Sequence, residues 1–188
     1  MARPYCYDGA VLANRVRWPR PRSRHPVVAL ARAIWTLPTN VVGHAAGLLA
    51  SGGRLPRRVG GAAAVGWLYP IRRGRGLDWV GAVTLGHAIL HRPGLLDGPA
   101  LTQRLTLAHE LAHTRQHDRL GPLYLPMHIL AQAVSALLSL GGRPVVSRVH
   151  DRNPLEQTFI CISAGATHDR APFPDARETE DFLAAFGA

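Results

Sequence analysis

The sequence predicts an α+β fold: a small antiparallel sheet, then a helix carrying His109-Glu110-Leu111-Ala112-His113, then further helices. Three observations predict it. Short apolar runs punctuated by Gly and Pro fill the stretch from Val59 to Leu90, as in strands and tight turns. Leu101, Leu105, Ala108 and Ala112 recur at helical spacing. Two longer apolar segments, Val27 to Ala50 and Leu120 to Arg143, flank those elements. A chain of 188 residues with a 47% hydrophobic fraction is long enough for one domain with a sizeable core.

Residues 1–26 form a basic arm of six arginines and one aspartate, broken by Pro4, Pro19, Pro21 and Pro26. It lacks the apolar core of a secretory signal, so a cytoplasmic protein is expected, peripheral to the inner membrane. The domain proper spans 27–167, and an acidic tail, 168–188, follows. Val27 to Ala50 is interrupted by Arg32, Pro38, Asn40 and Gly43; the uncharged stretch after Arg32 is long enough for a marginal membrane span, but a helix pair, buried or interfacial, is the favoured reading. Residues 51–58 read as a Gly/Arg loop. Val59 to Tyr69, Leu77 to Thr84 and Gly86 to Leu90 read as extended, with turns at Pro70 to Gly76 and around Gly81. His87 reads as a strand residue.

The motif helix is expected over about 98–119, with Asp97 as cap, Pro99 in its first turn and Gly121 past its end. Leu120 to Arg143 is uncharged until its final residue and carries Pro122, Pro126, His128 and Gln132. Its length could span a bilayer, but its central polar groups favour a helix packed behind the motif and returning the chain toward Glu156, or one lying in a membrane interface. Arg143 to Val149 suggests a strand, and Asp175 to Phe186 a short helix on a surface tail.

The formal net charge is +10, and all 22 basic residues are arginine. Such a balance suits acidic partners. There is no zinc-finger spacing, no RNP aromatic motif and no helix-turn-helix pattern, which leaves an anionic membrane surface rather than nucleic acid. Cys6 and Cys161 are too few and too distant for a disulfide framework or a thiolate metal site, and a reducing compartment fits them.

The chemistry rests on HExxH. Residues four apart share a helix face, so His109 and His113 aim two imidazoles at one point, as zinc requires. Glu110 stands about 100° around the helix, placed to act on a water without ligating the metal. Two histidines do not hold catalytic zinc firmly, because three protein ligands plus water are usual. Three candidates offer a third. His117 lies one turn beyond His113, but positions i, i+4 and i+8 spread over about 12 Å of axis, which reads it as a rim residue. Glu156 follows Asn153-Pro154-Leu155, where it is also a capping-box residue. His150 is a ligand candidate or an oxyanion donor; Tyr124 and His128 are further donor candidates. Arg119 stands where the last histidine of HExxHxxGxxH would be.

HExxH on one helix with a glutamate on a later one resembles the gluzincin branch of zinc metallopeptidases, with a zincin-like fold. His109-Glu110-Leu111-Ala112-His113-Thr114-Arg115-Gln116, then Leu120-Gly121-Pro122 and Asn153-Pro154-Leu155-Glu156, is similar to small bacterial HExxHxxQ proteins over roughly residues 80–160. The resemblance implies Zn2+ as cofactor, His109, His113 and Glu156 as its ligands, and Glu110 as general base and acid. It also implies a sheet edge, here Ala82 to Ile89, that pairs with substrate backbone. Past Glu156 the next turn brings Phe159 and Ile160, where an acidic residue would support a ligand.

An intramembrane protease does not fit. The motif helix carries Arg104, Arg115, Asp118 and Arg119, which are costly in a bilayer, and the one Leu-Asp-Gly, 96–98, lies upstream. The expected function is therefore a zinc-dependent hydrolase, a metallopeptidase with catalytic Glu110 and His150 and a peptide substrate. The alternative is a non-catalytic, membrane-peripheral binding protein whose HExxH helix is structural or holds zinc without turnover.

Overall fold

Pro26, whose fixed φ suits a first turn, opens helix α1, Pro26–Ser51. In this computed structural model the described residues are 21–23, 25–74, 81–139, 155 and 176–188. Gly52, left-handed at φ 71°, ends α1, and the N–H groups of Gly52 and Gly53 donate to the carbonyls of Leu49 and Leu48. Where the sequence suggests a helix pair, one helix runs unbroken through Pro38. Thr36 and Thr39 are buried on either side of that proline, so packing holds the turn that the proline would otherwise weaken.

Strands β1 (Arg57–Gly60), β2 (Val65–Pro70), β3 (Ala82–Leu85) and β4 (Ala88–His91) form one sheet in the order β1-β2-β4-β3. The sheet is mixed, which corrects the antiparallel reading. β1–β2 and β3–β4 are antiparallel, but β2 and β4 are parallel, with Trp67 opposite Ala88 and Tyr69 opposite Leu90. The chain crosses from β2 to the far edge before β3, and the turn at Gly86 folds β4 back into the gap. Every residue of β4 is buried, as expected of a central strand covered on both faces.

Helix α2 runs over Leu101–Leu120, three residues later than its expected start. Asp97 does not cap it. Its carboxylate instead accepts the Gly94 N–H and pairs with Arg57. The Ala100 N–H is met by Gln103 Oε1 at 3.2 Å. A 3-10 turn, Gly121–Leu123, joins α2 to helix α3, Tyr124–Ser139. Helix α4 spans Ala176–Phe186.

Leu68 and Ile89 face α2 and α4, where they meet Leu105, Leu111, Phe182 and Leu183 in the main core. Each such fully buried side chain contributes roughly 1.5–3 kcal/mol. The acidic tail therefore ends in a core helix rather than a surface one. Its Phe182, Leu183 and Phe186 are at most 2% exposed, and Glu180 pairs with Arg104 of α2 at 2.9 Å. On the opposite face of the sheet, Tyr69, Ala88 and Leu90 pack with Ala50 of α1. Residues 1–20, Cys6, Cys161, the Arg143–Val149 segment, His150 and Glu156 lie outside the described residues.

Candidate metal centre

α2 buries Leu105, Ala108, Leu111 and Ala112 against the sheet, and this anchorage brings His109 and His113 inside with them, 5% and 4% exposed. The two rings stand edge to face, with centroids 4.7 Å apart, and their Nε2 atoms are 3.2 Å apart. The second ring nitrogen of His113, Nδ1, lies 2.9 Å from Gln116 Oε1. An amide oxygen only accepts, so Nδ1 carries the proton and Nε2 of the neutral ring presents a lone pair. Gln116 Nε2 in turn donates to the Leu155 carbonyl at 2.8 Å. Donation runs one way, from the imidazole through the amide to the Leu155 carbonyl, and orients the ring as a metal ligand needs.

This pair fits zinc. Two nitrogens about 2.0–2.1 Å from a tetrahedral ion would be separated by about 3.3 Å. Among the described residues, no group of three His, Cys, Asp or Glu side chains is gathered around one point. As a metal site the pair would supply two nitrogens; Glu156 and His150, the other ligand candidates, lie outside the described residues. Leu155, the residue that precedes Glu156, is the one docked on Gln116.

Glu110 is buried between α2 and the sheet. Its Oε2 accepts a 2.6 Å hydrogen bond from Thr84 Oγ1 on β3. The edge strand thus holds one carboxylate oxygen in a fixed direction. Thr84 carried no signal in the sequence, since nothing in its spacing ties residue 84 to residue 110.

Two of the oxyanion candidates come close to this point. The His128 ring lies 5.7 Å from that of His113, and Tyr124 packs 5.6 Å from His128. His117 is not at a rim. It is fully buried, edge-on to His87 at 5.2 Å and to Tyr124 at 5.6 Å, and among the described residues neither ring nitrogen has a hydrogen-bond partner. Burial pushes its pKa down from 6.5 to about 4, the charge of His87 adds to the fall, and Asp118 opposes it.

His87 sits in the β3–β4 turn rather than in a strand. Its Nε2 is 2.9 Å from Asp118 Oδ1, its Nδ1 accepts from Asn40 Nδ2 at 3.0 Å, and its N–H donates to Asn40 Oδ1. Arg22 donates to the same Asp118 oxygen at 2.8 Å. Burial alone would raise the Asp118 pKa, but the His87 hydrogen bond and the charges of His87, Arg22 and Arg32 together hold it below the usual value. This network ties α1, the β3–β4 turn and the end of α2 together. Comparison with family models, with curated proteins and with solved structures finds no match to this chain.

Proposed function

We propose that this chain is a zinc-dependent hydrolase that cleaves peptide bonds. The observation that carries the reading is the buried His109–His113 pair, its Nε2 atoms 3.2 Å apart, with His113 oriented by Gln116. Glu156 completes the ligand set. The docking of Leu155 on Gln116 supports bringing the Asn-Pro-Leu-Glu segment to this helix. When bound, zinc supplies Lewis acidity toward a water molecule and a scissile carbonyl.

Glu110 receives the water proton and passes it to the leaving amine. Thr84 occupies Oε2, so Oε1 is the oxygen that takes the proton. β3 lies at the sheet edge beside α2, where an extended peptide can add as a further strand. His128, beside His113, and His150 are the candidate donors to the developing oxyanion.

Metal analysis of protein purified without a histidine tag, together with peptide-library cleavage by wild type and Glu110→Gln, tests this reading. About one zinc per chain is expected in both proteins, with turnover at least ~10²-fold lower in the variant. Folded protein that takes up no zinc would end the reading. Zinc-loaded wild type that cleaves nothing would favour the non-catalytic binding protein.

A further inference from the structure

α1 is built inside out. The side it turns to the sheet is small or polar: Thr36, Thr39, Gly43, Gly47, Ala50 and Ser51 are buried. A Cβ on Gly47 would stand 2.6 Å from the Tyr69 ring, and one on Gly43 would run into the Leu85 carbonyl, so the close approach requires glycine. The opposite side is large and apolar. Ile34, Trp35, Leu37, Val41, Val42 and Leu49 are exposed, Leu49 by 72%. α3 repeats the pattern, with Tyr124 and Ser135 buried and Ile129, Leu130, Val134 and Leu137 exposed.

Among the described residues, sixteen of the eighteen exposed large hydrophobics lie on α1 or between Leu123 and Leu137. Single exposed apolar side chains are ordinary, but a collection of this size is not. Trp35 of α1 packs over Gly121, in the turn that leads into α3, and its Nε1–H reaches the Arg119 carbonyl at 3.4 Å. Small residues inside and large apolar residues outside is the packing of helices whose outer neighbour is lipid.

Charge selects the same occupant. Neither Ala33–Ser51 nor Leu120–Gly142 carries a charged residue, and the charges beside them are basic. Arg54 and Arg119, both exposed, stand beside these stretches, and the first 26 residues hold six arginines against one acid. Such a border suits anionic headgroups. The helical run Leu101–Leu137 is long and apolar enough to cross a membrane. However, its first half carries Arg104, Arg115, Asp118 and Arg119, and α3 alone spans about 24 Å against a hydrocarbon core of about 30 Å. α1 lies on the sheet along its buried side, from Thr36 to Ser51. Both helices therefore suit a place in the membrane plane rather than across it.

We propose that the outer faces of α1 and α3 dock into the interface of an anionic lipid bilayer, with the flanking arginines on the headgroups. This rests on the burial pattern and charge, and it stands whether or not the chain binds zinc.

Flotation of the full chain with vesicles of phosphatidylglycerol and phosphatidylcholine tests it, beside the quadruple variant Ile34→Ser, Leu37→Ser, Ile129→Ser and Leu130→Ser. These side chains are exposed, so the fold should survive, which circular dichroism checks. Wild type should float with the vesicles and lose binding in high salt or on phosphatidylcholine alone. The variant should bind at least ~10-fold more weakly. Wild type that stays in the aqueous fraction overturns the proposal. If it is then a dimer that the variant makes monomeric, the face belongs to a second copy. If it is a monomer, the face is covered by the chain itself.

Discussion

His109 and His113 stand four residues apart on α2, and so do His113 and His117, yet the two pairs meet different fates. The first pair converges on one point, with Nε2 atoms 3.2 Å apart and His113 fixed by an amide. In the second, His117 turns away to pack on His87 and Tyr124, and neither nitrogen has a partner among the described residues. Identical spacing on one helix therefore does not make a ligand pair. What surrounds each imidazole decides. Gln116 gives His113 a direction and a tautomer, whereas His117 packs edge-on to His87 and Tyr124, and burial holds its pKa down.

Metal binding should divide the two pairs most sharply. If His113 and Glu156 hold zinc as proposed, His113→Ala or Glu156→Gln should abolish stoichiometric zinc, while His117→Phe should keep it; competition against a colorimetric chelator reads both. A Glu156→Gln protein with wild-type affinity would move the third ligand to His150.

A smaller effect is expected at Gln116. Gln116→Leu leaves His113 without its partner and should weaken zinc binding by about 10–100-fold, the usual cost of losing such a support. Nitrogen chemical shifts of the metal-free protein give a second readout, because Nδ1 of His113 should then share its proton with Nε2.

Thr84→Val comes next. It removes the hydroxyl that holds Glu110 but no metal ligand, so zinc affinity should stay and kcat should fall about tenfold, near the worth of one hydrogen bond to a charged group.

The subtlest difference lies in acid stability. His117 titrates near 6.5 when unfolded and at about 4 when folded. Between those values the unfolded chain binds a proton that the native chain does not, so stability falls as pH falls through this window. Above pH 6.5 this contribution is complete, and below 4 it falls no further. Urea midpoints of metal-free protein at both ends of the window should differ less in His117→Phe than in wild type.

The sequence located α2 well because an apolar stripe at helical spacing survives any detail of packing. Sheet direction was not legible, since alternation reports which face is buried and not which way a neighbour runs. Pro38 made α1 look like two helices. The inverted face of α1 defeated the usual inference altogether, because its largest apolar residues point away from the core and its threonines and glycines point in. Acidic residues disguised α4 as a surface tail, although Phe182, Leu183 and Phe186 already had core spacing. At the site, the HExxH residues could be read directly. Thr84 could not, because it reaches Glu110 only through tertiary structure. Gln116 was visible as a letter of the motif, but its role emerged only once His113 and Leu155 stood on either side of it.

The glycine contacts of α1 have a mechanical consequence. Gly43 lies against the Leu85 carbonyl, and Gly86 at the next turn lies against Asn40. At Gly43 no side chain separates helix from hairpin, and at the next turn the Asn40 side chain bonds His87, so α1 and the β3–β4 hairpin are expected to move together. Thr84 is part of that hairpin and grips Glu110. Whatever shifts α1 against the sheet is therefore expected to disturb the Thr84–Glu110 bond as well.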